Sequence, residues 1–264
     1  MAIKIMLDAG HYAKYNRSPV LPDYWESEAM WALHLDLKRE LEAYGFEVLT
    51  TREKQEEDLP VYERGRKAKG CDLFLSLHSN ASKSEKTDRV VVYRSFDNQN
   101  NADVLAGKLA AAIAKLMNVS GGFVATRESD DYPGTEYYGV LRGARKENVP
   151  LYYIIEHGFH TNLYCTKWLF EDANRKRLAK LEAEIIAGFY GLSPVKPGSS
   201  GKGDVNFDGV VNAYDYQLVT AAVLGTVTFG KEQFAAADVN DDGKVNSYDY
   251  SMIKAAVLGN YKLE

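Results

Sequence analysis

DVNFDGVVNAYD, residues 204–215, returns as DVNDDGKVNSYD at residues 238–249. In both copies, positions 1, 3, 5, 9 and 12 carry an oxygen-bearing side chain and position 6 is glycine. These are the ligand types and the tight turn that a bound Ca²⁺ ion requires. Each copy runs on into a helix-like segment that ends in the same Ala-Ala-Val-Leu-Gly. A repeat of both loop and helix predicts a small all-α module with two calcium sites.

Each predicted calcium site combines five side chains with the backbone carbonyl at loop position 7. Position 12 is Asp rather than the longer Glu, which favours a less complete bidentate contact. An alternative interpretation is a pair of Asx-rich turns that cap helices without a metal, but agreement at every ligand position favours calcium. The first ligand set is Asp204, Asn206, Asp208, Val210, Asn212 and Asp215, and the second is Asp238, Asn240, Asp242, Lys244, Asn246 and Asp249.

This tandem resembles the dockerin module of cellulosome-type enzymes, over roughly the last 60 residues on a loop-plus-helix count. As in dockerins, the first loop lacks an entering helix, because a segment rich in Lys, Pro, Gly and Ser precedes it. The resemblance implies that the module has no catalytic activity of its own. It implies instead a binding partner, a cohesin domain on a scaffoldin or surface protein. By position it also implies a set of cohesin-facing residues. These are Ala213, Tyr214, Ser247 and Tyr248.

The calcium module is joined to the rest of the chain by PVKPGSSGKG, residues 194–203, a typical Pro/Gly/Ser linker. We therefore predict a first domain of residues 1–193 and a dockerin-like module of residues 204–264. A chain of 264 residues with 45% hydrophobic content can form one medium domain and one small module. A formal net charge of −5 indicates no nucleic-acid partner, and no apolar run approaches the ~18 residues needed to cross a bilayer.

The cysteines and the N-terminus bear on where the protein works. Cys71 and Cys165 lie in no metal-like C-x-x-C pair, and we expect buried or free thiols. MAIKIML, residues 1–7, runs straight into Asp8 and is typical of a strand rather than a signal peptide. Because dockerins work outside the cell, we expect an extracellular or cell-wall-associated protein. Its leader has then been removed, or its release needs none, as with phage-type lysins.

Residues 1–193 alternate between strand-like and helix-like segments. This alternation predicts an α/β fold, with a mostly parallel twisted sheet flanked by helices. In such sheets, active sites lie beyond the carboxyl ends of the strands. The predicted strands are residues 3–7, 46–50, 71–77, 90–93 and 151–155, and the predicted helices are residues 26–44, 61–69, 101–117 and about 165–190.

Short polar motifs follow three of these strands. A single histidine after a strand is commonly an ordinary loop residue, but polar groups at three strand ends indicate a site. Because the carboxyl ends of parallel strands meet at one edge of the sheet, we expect His11, His78 and Glu156 to lie there. The motifs are DAGH at residues 8–11, SLHSN at residues 76–80 and EHGFHTN at residues 156–162.

The predicted helix over residues 26–44 begins with a carboxylate on its apolar face. At about 100° per residue, Glu26 shares the face of the apolar stripe, whereas Glu28 lies nearly opposite, on the solvent side. A carboxylate on a buried face costs free energy unless it is paired or bound to a cation. A favourable helix-dipole interaction is the alternative, but it would suit Glu28 equally well. The stripe consists of Met30, Leu33, Leu37, Leu41 and Tyr44.

These features resemble the zinc-dependent N-acetylmuramoyl-L-alanine amidases, the family of bacterial cell-division amidases and clostridial phage lysins. The resemblance covers nearly the whole first domain, through the three strand-end motifs, the helix from Glu26 and the pair Thr51-Arg52. The family's spacing from its ligand glutamate to the helix-ending glycine also selects Glu26 over Glu28. The sequence departs from the family in the loop after His11, where many relatives are glycine-rich, and in residues 127–139.

The resemblance implies one Zn²⁺ ion held by His11, Glu26 and His78, with a fourth position left for water. Zinc lowers the pKa of such a water toward ~7 and polarises a carbonyl group. Glu156 would be the general base that takes the proton and passes it to the leaving nitrogen. The implied reaction cuts peptidoglycan at the amide between the lactyl group of N-acetylmuramic acid and L-alanine.

Three further side chains carry weaker indications. Arg142 could meet a substrate carboxylate, because an Arg fork suits that group, or it could form a surface ion pair. His157 and His160 are close to Glu156 in sequence. We interpret them as ordinary loop histidines rather than as donors to the metal ligands.

Two other functions remain open. One is a zinc-dependent peptidase or deacetylase that acts on cell-wall material, which would release a different amine. The other is a non-catalytic wall-binding module anchored by the dockerin. It predicts a substituted ligand or base, whereas His11, Glu26, His78 and Glu156 are all intact.

Overall fold

The computed structural model describes residues 2–97, 100, 102–192, 201–207 and 210–263. The chain divides into two compact units, and the division falls after Leu192. Most of the predicted linker, and Asp208 of the first calcium loop, lie outside the described residues. Within the described ranges, no helix is both long and apolar enough to cross a membrane.

The first unit is built on a sheet. Among the described residues, its strands are β1 Lys4–Ala9, β2 Glu47–Thr50, β3 Leu73–Asn80, β4 Val90–Tyr93, β5 Gly122–Ala125 and β6 Leu151–Phe159. They lie in the order β2-β1-β3-β6-β4-β5, and all neighbours are parallel except β4 and β6. The predicted mostly parallel sheet is therefore confirmed, with β5 as an additional strand. Because β4 and β5 run against the other strands, their carboxyl ends lie at the opposite edge.

The described helices of this unit are α1 Glu26–Glu42, α2 Val61–Arg66, α3 Ala102–Met117, α4 Gly139–Lys146, α5 Leu163–Phe170 and α6 Asp172–Phe189. Helix α4 was not predicted, because it has only 8 residues and contains glycines at positions 139 and 143. The single helix predicted over about residues 165–190 is two helices. Glu171 between them has an extended backbone, with ψ of 119°.

Helices α2 and α4 cross closely and cover one face of the sheet. A Cβ on Gly65 would lie 1.9 Å from the carbonyl oxygen of Val140, and one on Gly143 would lie 2.1 Å from that of Tyr62. Only glycine permits such an approach. The buried cluster under these helices contains Met6, Ala68, Phe74, Leu141, Ala144, Tyr152 and Ile154.

The other face of the sheet is covered by α1, α3 and α6. Helix α1 packs on β1 and β3, α3 packs on β4 and β6, and α6 packs against both helices. Side chains alternate between the faces of a strand, so β1, β3 and β6 bury apolar residues on both sides. Cys71 and Cys165 are free and buried in this unit, which confirms the expectation from the sequence.

The second unit is helical over its described residues, which confirms the predicted all-α module. Its helices are α7 Ala213–Val223, α8 Lys231–Ala237 and α9 Ser247–Val257, of which α8 was not predicted. Helices α7 and α9 begin at matching positions of the two repeats, after the capping side chains of Asn212 and Asn246. The buried core of this unit contains Val205, Val219, Ala237, Val239 and Ile253.

Candidate metal centre and active site

Three side chains from distant parts of the chain converge at the carboxyl ends of β1 and β3. Their ligand atoms, from His11, Glu26 and His78, all lie within 4.8 Å of one another. His11 Nε2 is 3.4 Å from Glu26 Oε2, and His78 Nδ1 is 3.0 Å from Glu26 Oε1. A zinc ion with bonds of about 2.0–2.1 Å needs ligand atoms about 3.3 Å apart. The donor types and their spacing therefore fit zinc.

Glu26 is held as a carboxylate at the centre of this trio. Its side chain is 1% exposed and that of Glu28 is 41% exposed, which confirms the predicted helix face. Burial by itself raises the pKa of Glu26, but hydrogen bonds from His11 and His78 outweigh burial and lower that pKa. The backbone N–H of Ser79 also donates to Oε1 at 3.0 Å. A negative charge is therefore available to a cation at neutral pH.

Hydrogen bonds fix the ring of His78. Ser76 Oγ donates to Asp8 Oδ2 at 2.7 Å and accepts from His78 Nε2 at 3.1 Å. Asp8 Oδ1 accepts from Thr51 Oγ1 at 2.6 Å. With Nε2 protonated in this way, Nδ1 is the ring nitrogen available to a metal. Asp8, Ser76 and Thr51 all lie in quoted sequence motifs, but no role had been predicted for them.

The loop after β1 holds His11 in a strained backbone. His11, Ala13 and Asn16 have positive φ angles of 61°, 45° and 53°, a conformation that costs free energy in residues other than glycine. Ser27 Oγ stabilises the loop by donating a hydrogen bond to Ala13 O at 2.8 Å. Asn16 Nδ2 lies 3.0 Å from His11 Nε2 and donates to Glu26 Oε2 at 2.7 Å. Asn16 thus contacts two of the three ligands, a role that the sequence did not indicate.

Gly10 brings the end of β1 against His78. A Cβ at this position would lie 2.5 Å from His78 Cε1 and 2.6 Å from the carbonyl oxygen of Leu77. Both distances are too short for a side-chain carbon. The glycine of the DAGH motif is therefore required for the two histidine ligands to approach each other.

Glu156 faces the trio from the neighbouring strand. It pairs with His78 in the register of β3 and β6, so both side chains leave the sheet on the same face. Its Oε2 is buried and has no hydrogen-bond partner among the described residues. Burial raises the pKa of Glu156 to about 7, although the charge of His78 opposes this rise. Glu156 lies inside β6, which runs to Phe159, so the strand end predicted at residue 155 was wrong.

His157 is not a loop histidine, and that interpretation was wrong for it because β6 continues past its predicted end, whereas His160 lies in the turn after β6 but is buried. His157 lies inside β6, fully buried, and its Nδ1 donates to His78 O at 3.0 Å. His160 Nδ1 lies 2.9 Å from Ser79 O and 3.7 Å from Glu26 Oε2. The two histidines therefore hydrogen-bond to the backbone of His78 and of the residue after it.

Two protein-family models match the chain. One, described as N-acetylmuramoyl-L-alanine amidase, matches residues 5–188, which is more than half of the 264 residues. The chain belongs to the N-acetylmuramoyl-L-alanine amidase family. The other model, a type I dockerin domain, matches residues 202–258. The amidase domain is thus followed by a type I dockerin, as the sequence motifs had predicted.

Solved structures share the fold of the amidase domain. Cwp6 from Clostridium difficile matches with a TM-score of 0.63 at 21% identity, over 74% of this chain and 30% of that one. The catalytic domain of CwlV, an N-acetylmuramoyl-L-alanine amidase from Bacillus (Paenibacillus) polymyxa var. colistinus, matches with a TM-score of 0.60 at 19% identity. The match covers 72% of this chain and 99% of that one. AmiC2 of Nostoc punctiforme matches with a TM-score of 0.59 at 18% identity, over 72% of this chain and 97% of that one. A comparison with curated protein sequences found no match.

Membership of this family indicates which metal the three side chains bind and which reaction they serve. His11, Glu26 and His78 form the zinc site typical of this amidase family, which hydrolyses the amide between N-acetylmuramic acid and L-alanine in peptidoglycan. Type I dockerins usually bind calcium, and a dockerin implies a cohesin partner and an extracellular location.

Arg142 lies on α4. Its Nη1 donates to the carbonyl oxygens of Glu136 and Tyr137 at 2.7 and 2.6 Å. The guanidinium group also lies over the ring of Tyr132, 4.9 Å from the centroid. A contact between Arg142 and a substrate carboxylate stays a prediction.

The two loops of the dockerin share a hydrogen-bond pattern among their described residues. Asp215 accepts from the backbone N–H groups of loop positions 2 and 9, both at 2.9 Å. Asp249 accepts from the same positions of the second loop, both at 3.0 Å. The position-12 carboxylates therefore point back into their loops. Tyr214 and Tyr248 are exposed at the starts of α7 and α9; the calcium-ligand and cohesin-contact assignments stay predictions.

Proposed function

We propose that Glu156 is the general base of this amidase and that His11, Glu26 and His78 hold its zinc ion. The observation that carries the proposal is the pairing of Glu156 with His78 on adjacent strands, both facing the trio. When bound, zinc supplies Lewis-acid chemistry, because it lowers the pKa of a water and polarises the amide carbonyl. The protein supplies three ligands, which suits a catalytic rather than a closed structural site.

The environment of Glu156 suits proton transfer at neutral pH. Its pKa, raised by burial to about 7, lies near the pH at which a base works best. Glu156 accepts the proton of the attacking water at its unpartnered Oε2. It then gives that proton to the nitrogen of L-alanine, so that the amine leaves as a neutral group, and the second proton of the water passes to solvent, which leaves the lactyl carboxylate on the glycan. Arg142 is a weaker candidate for binding a carboxylate of the stem peptide.

The dockerin places this activity on a larger assembly. We propose that its two Ca²⁺ ions are held by the ligand sets of residues 204–215 and 238–249, and that a cohesin of a scaffoldin or surface protein binds across Ala213, Tyr214, Ser247 and Tyr248. The exposure of both tyrosines supports this surface. We further propose domain boundaries of 1–193 and 204–264 with the linker 194–203, which accord with the chain division after Leu192.

The decisive experiment identifies the amine that the enzyme releases. Peptidoglycan is incubated with the chelated protein, with and without added Zn²⁺, and new amine ends are identified by mass spectrometry. New N-terminal L-alanine that requires zinc and disappears in Glu156→Gln is the expected result. An internal peptide amine would indicate a peptidase, and free glucosamine a deacetylase. Release that persists in Glu156→Gln would exclude Glu156 as the base.

A further inference from the structure

A buried, hydrogen-bonded pair of polar side chains lies beside the metal centre. His157 Nε2 and Glu182 Oε1 are 2.6 Å apart, and both side chains are fully buried. His157 belongs to β6, whereas Glu182 belongs to α6. Neither residue has a part in the chemistry described above. Burying two polar side chains costs more free energy than burying apolar side chains of similar volume, so packing alone does not account for this pair.

The pair lies at an irregularity in the sheet. The register of β3 and β6 pairs His78 with Glu156 and next pairs Asn80 with Phe159. Strand β6 therefore has one residue more than β3 in this interval, and Gly158 within it has a φ of +84°. Such a bulge interrupts the hydrogen-bond ladder and redirects side chains. The interruption falls directly after a zinc ligand.

His157 spans this interruption. Its Nδ1 donates to the backbone oxygen of His78 at 3.0 Å, while its other nitrogen is anchored on Glu182. An imidazole held at both nitrogens cannot rotate without losing a buried hydrogen bond. Helix α6, which carries Glu182, packs against α1, which begins with Glu26. The pair thus links the backbone of one zinc ligand to the helix layer that carries another.

We propose that His157 and Glu182 are positioning residues for zinc. They hold the backbone of His78 in place across the bulge, and so fix the distance from His78 Nδ1 to Glu26. Neither residue touches the metal or the substrate. The proposal rests on the zinc-amidase function proposed above. Removing outer contacts of a metal site commonly weakens metal affinity about 10–100-fold, and that is the effect expected here.

A purely structural role for the pair makes a different prediction. The loss of a buried polar contact would then lower the stability of the fold and leave zinc affinity unchanged. Tyr153 provides a matched control for His157. It lies in β6 on the same face of the strand and is equally buried. Its hydroxyl donates to Ala102 O at 2.8 Å, a buried contact that involves no zinc ligand.

The test compares three full-length variants: His157→Leu/Glu182→Leu, Glu182→Gln and Tyr153→Phe. Calcium is present throughout, so that the dockerin loops are filled. Zinc affinity is measured by competition with a chromophoric chelator, and the stability of the zinc-free protein is measured from its urea midpoint. No substrate is used. Missing amidase activity in the wild type would therefore overturn the proposed function without affecting this result.

In the double variant, we expect zinc affinity to fall about 10–100-fold. Its urea midpoint should stay near that of the wild type, because both partners of the hydrogen bond are replaced together by apolar side chains. Tyr153→Phe should lower the midpoint and keep wild-type zinc affinity. A folded double variant with wild-type zinc affinity would overturn the proposal. If the double variant does not fold, Glu182→Gln must weaken zinc binding more than Tyr153→Phe does, and equal affinities would overturn it.

Discussion

The zinc centre and the calcium loops of this amidase are built in opposite ways. The zinc centre takes His11, Glu26 and His78 from three separate elements and holds them through hydrogen bonds to further residues. Each proposed calcium site has its whole ligand set within twelve consecutive residues. A local ligand set is encoded by spacing alone, whereas the zinc centre forms only when strands and helix are packed. The two regions should therefore respond differently to the same kind of change.

Removing one zinc ligand should have the largest effect and should leave the calcium loops intact. Glu26→Gln takes away the buried carboxylate between the two histidines. We expect zinc to be lost and kcat/KM to fall at least about a hundredfold, because a metal supplies several kcal/mol of transition-state stabilisation. Zinc and calcium content by elemental analysis, together with release of L-alanine, measures this.

The control for that change is Glu28→Gln, two residues along the same helix and 41% exposed. It should keep wild-type zinc content and activity. Equal losses in the two variants would show that the charge of the helix start, rather than the ligand position, decides zinc binding. Loss of calcium in Glu26→Gln would contradict the independence of the two regions.

Removing a proposed calcium ligand should abolish one calcium site and leave the zinc centre intact. Asp249→Asn alters the position-12 carboxylate of the second loop, whose two oxygens accept backbone hydrogen bonds. We expect calcium content to fall from two ions to one per chain, because this position supplies the principal carboxylate of such a loop. Calcium titration by calorimetry, with amidase activity in parallel, gives the result.

Asp241→Asn is the matched control, since Asp241 lies in the same loop at a non-ligand position and is exposed. It should keep both calcium ions. If Asp249→Asn also retains two ions, the proposed ligand set is wrong at its last position.

A smaller effect is expected from a residue that touches zinc only through His78. Ser76→Ala removes the hydroxyl that accepts from His78 Nε2 and donates to Asp8. Losing such a contact should weaken zinc binding about 10–100-fold without abolishing it. Chelator competition measures the affinity. Unchanged affinity would mean that Gly10 and the strand backbone hold the ring of His78 without help from its hydrogen bonds.

Acidification should release zinc before calcium, and this is the smallest of the expected effects. Burial lowers the pKa of His78, but the hydrogen bond and charge of Glu26 outweigh burial and raise that pKa. The protonated ring therefore stabilises the zinc-free fold below the unfolded pKa, and this stabilisation is lost as pH rises through the folded pKa. Zinc requires the unprotonated ring, so zinc affinity should instead fall as pH falls, by up to about tenfold per pH unit for each displaced proton.

Calcium should persist under these conditions, because Asp side chains ordinarily protonate only near pH ~4. Dialysis at a series of pH values, followed by elemental analysis, should show zinc lost first. Simultaneous loss of both metals would indicate general acid unfolding rather than competition between protons and zinc at the histidines.

The difference between local and assembled sites also explains what the sequence could predict. Strand-end motifs placed His11, His78 and Glu156, and helical periodicity separated Glu26 from Glu28. The bulge in β6 could not be predicted, because this strand is buried on both faces and its sequence shows no alternation that would specify the register. Its one signal was Gly158 within a buried run. Glu182 looked like any helical glutamate, because its partner is brought to it only by the packing of α6 under the sheet.

The reversed direction of β4 and β5 has a consequence for how this amidase can diversify. Chain segments that leave these two strands set out from the edge remote from zinc. Extensions that begin at these two strand ends can lengthen without displacing a ligand. Strands β1, β3 and β6 have no such latitude, since the residues at their carboxyl ends are ligands, base or supports. Variation in the length of connections should therefore be greater at the remote edge of the sheet than at the edge that carries zinc.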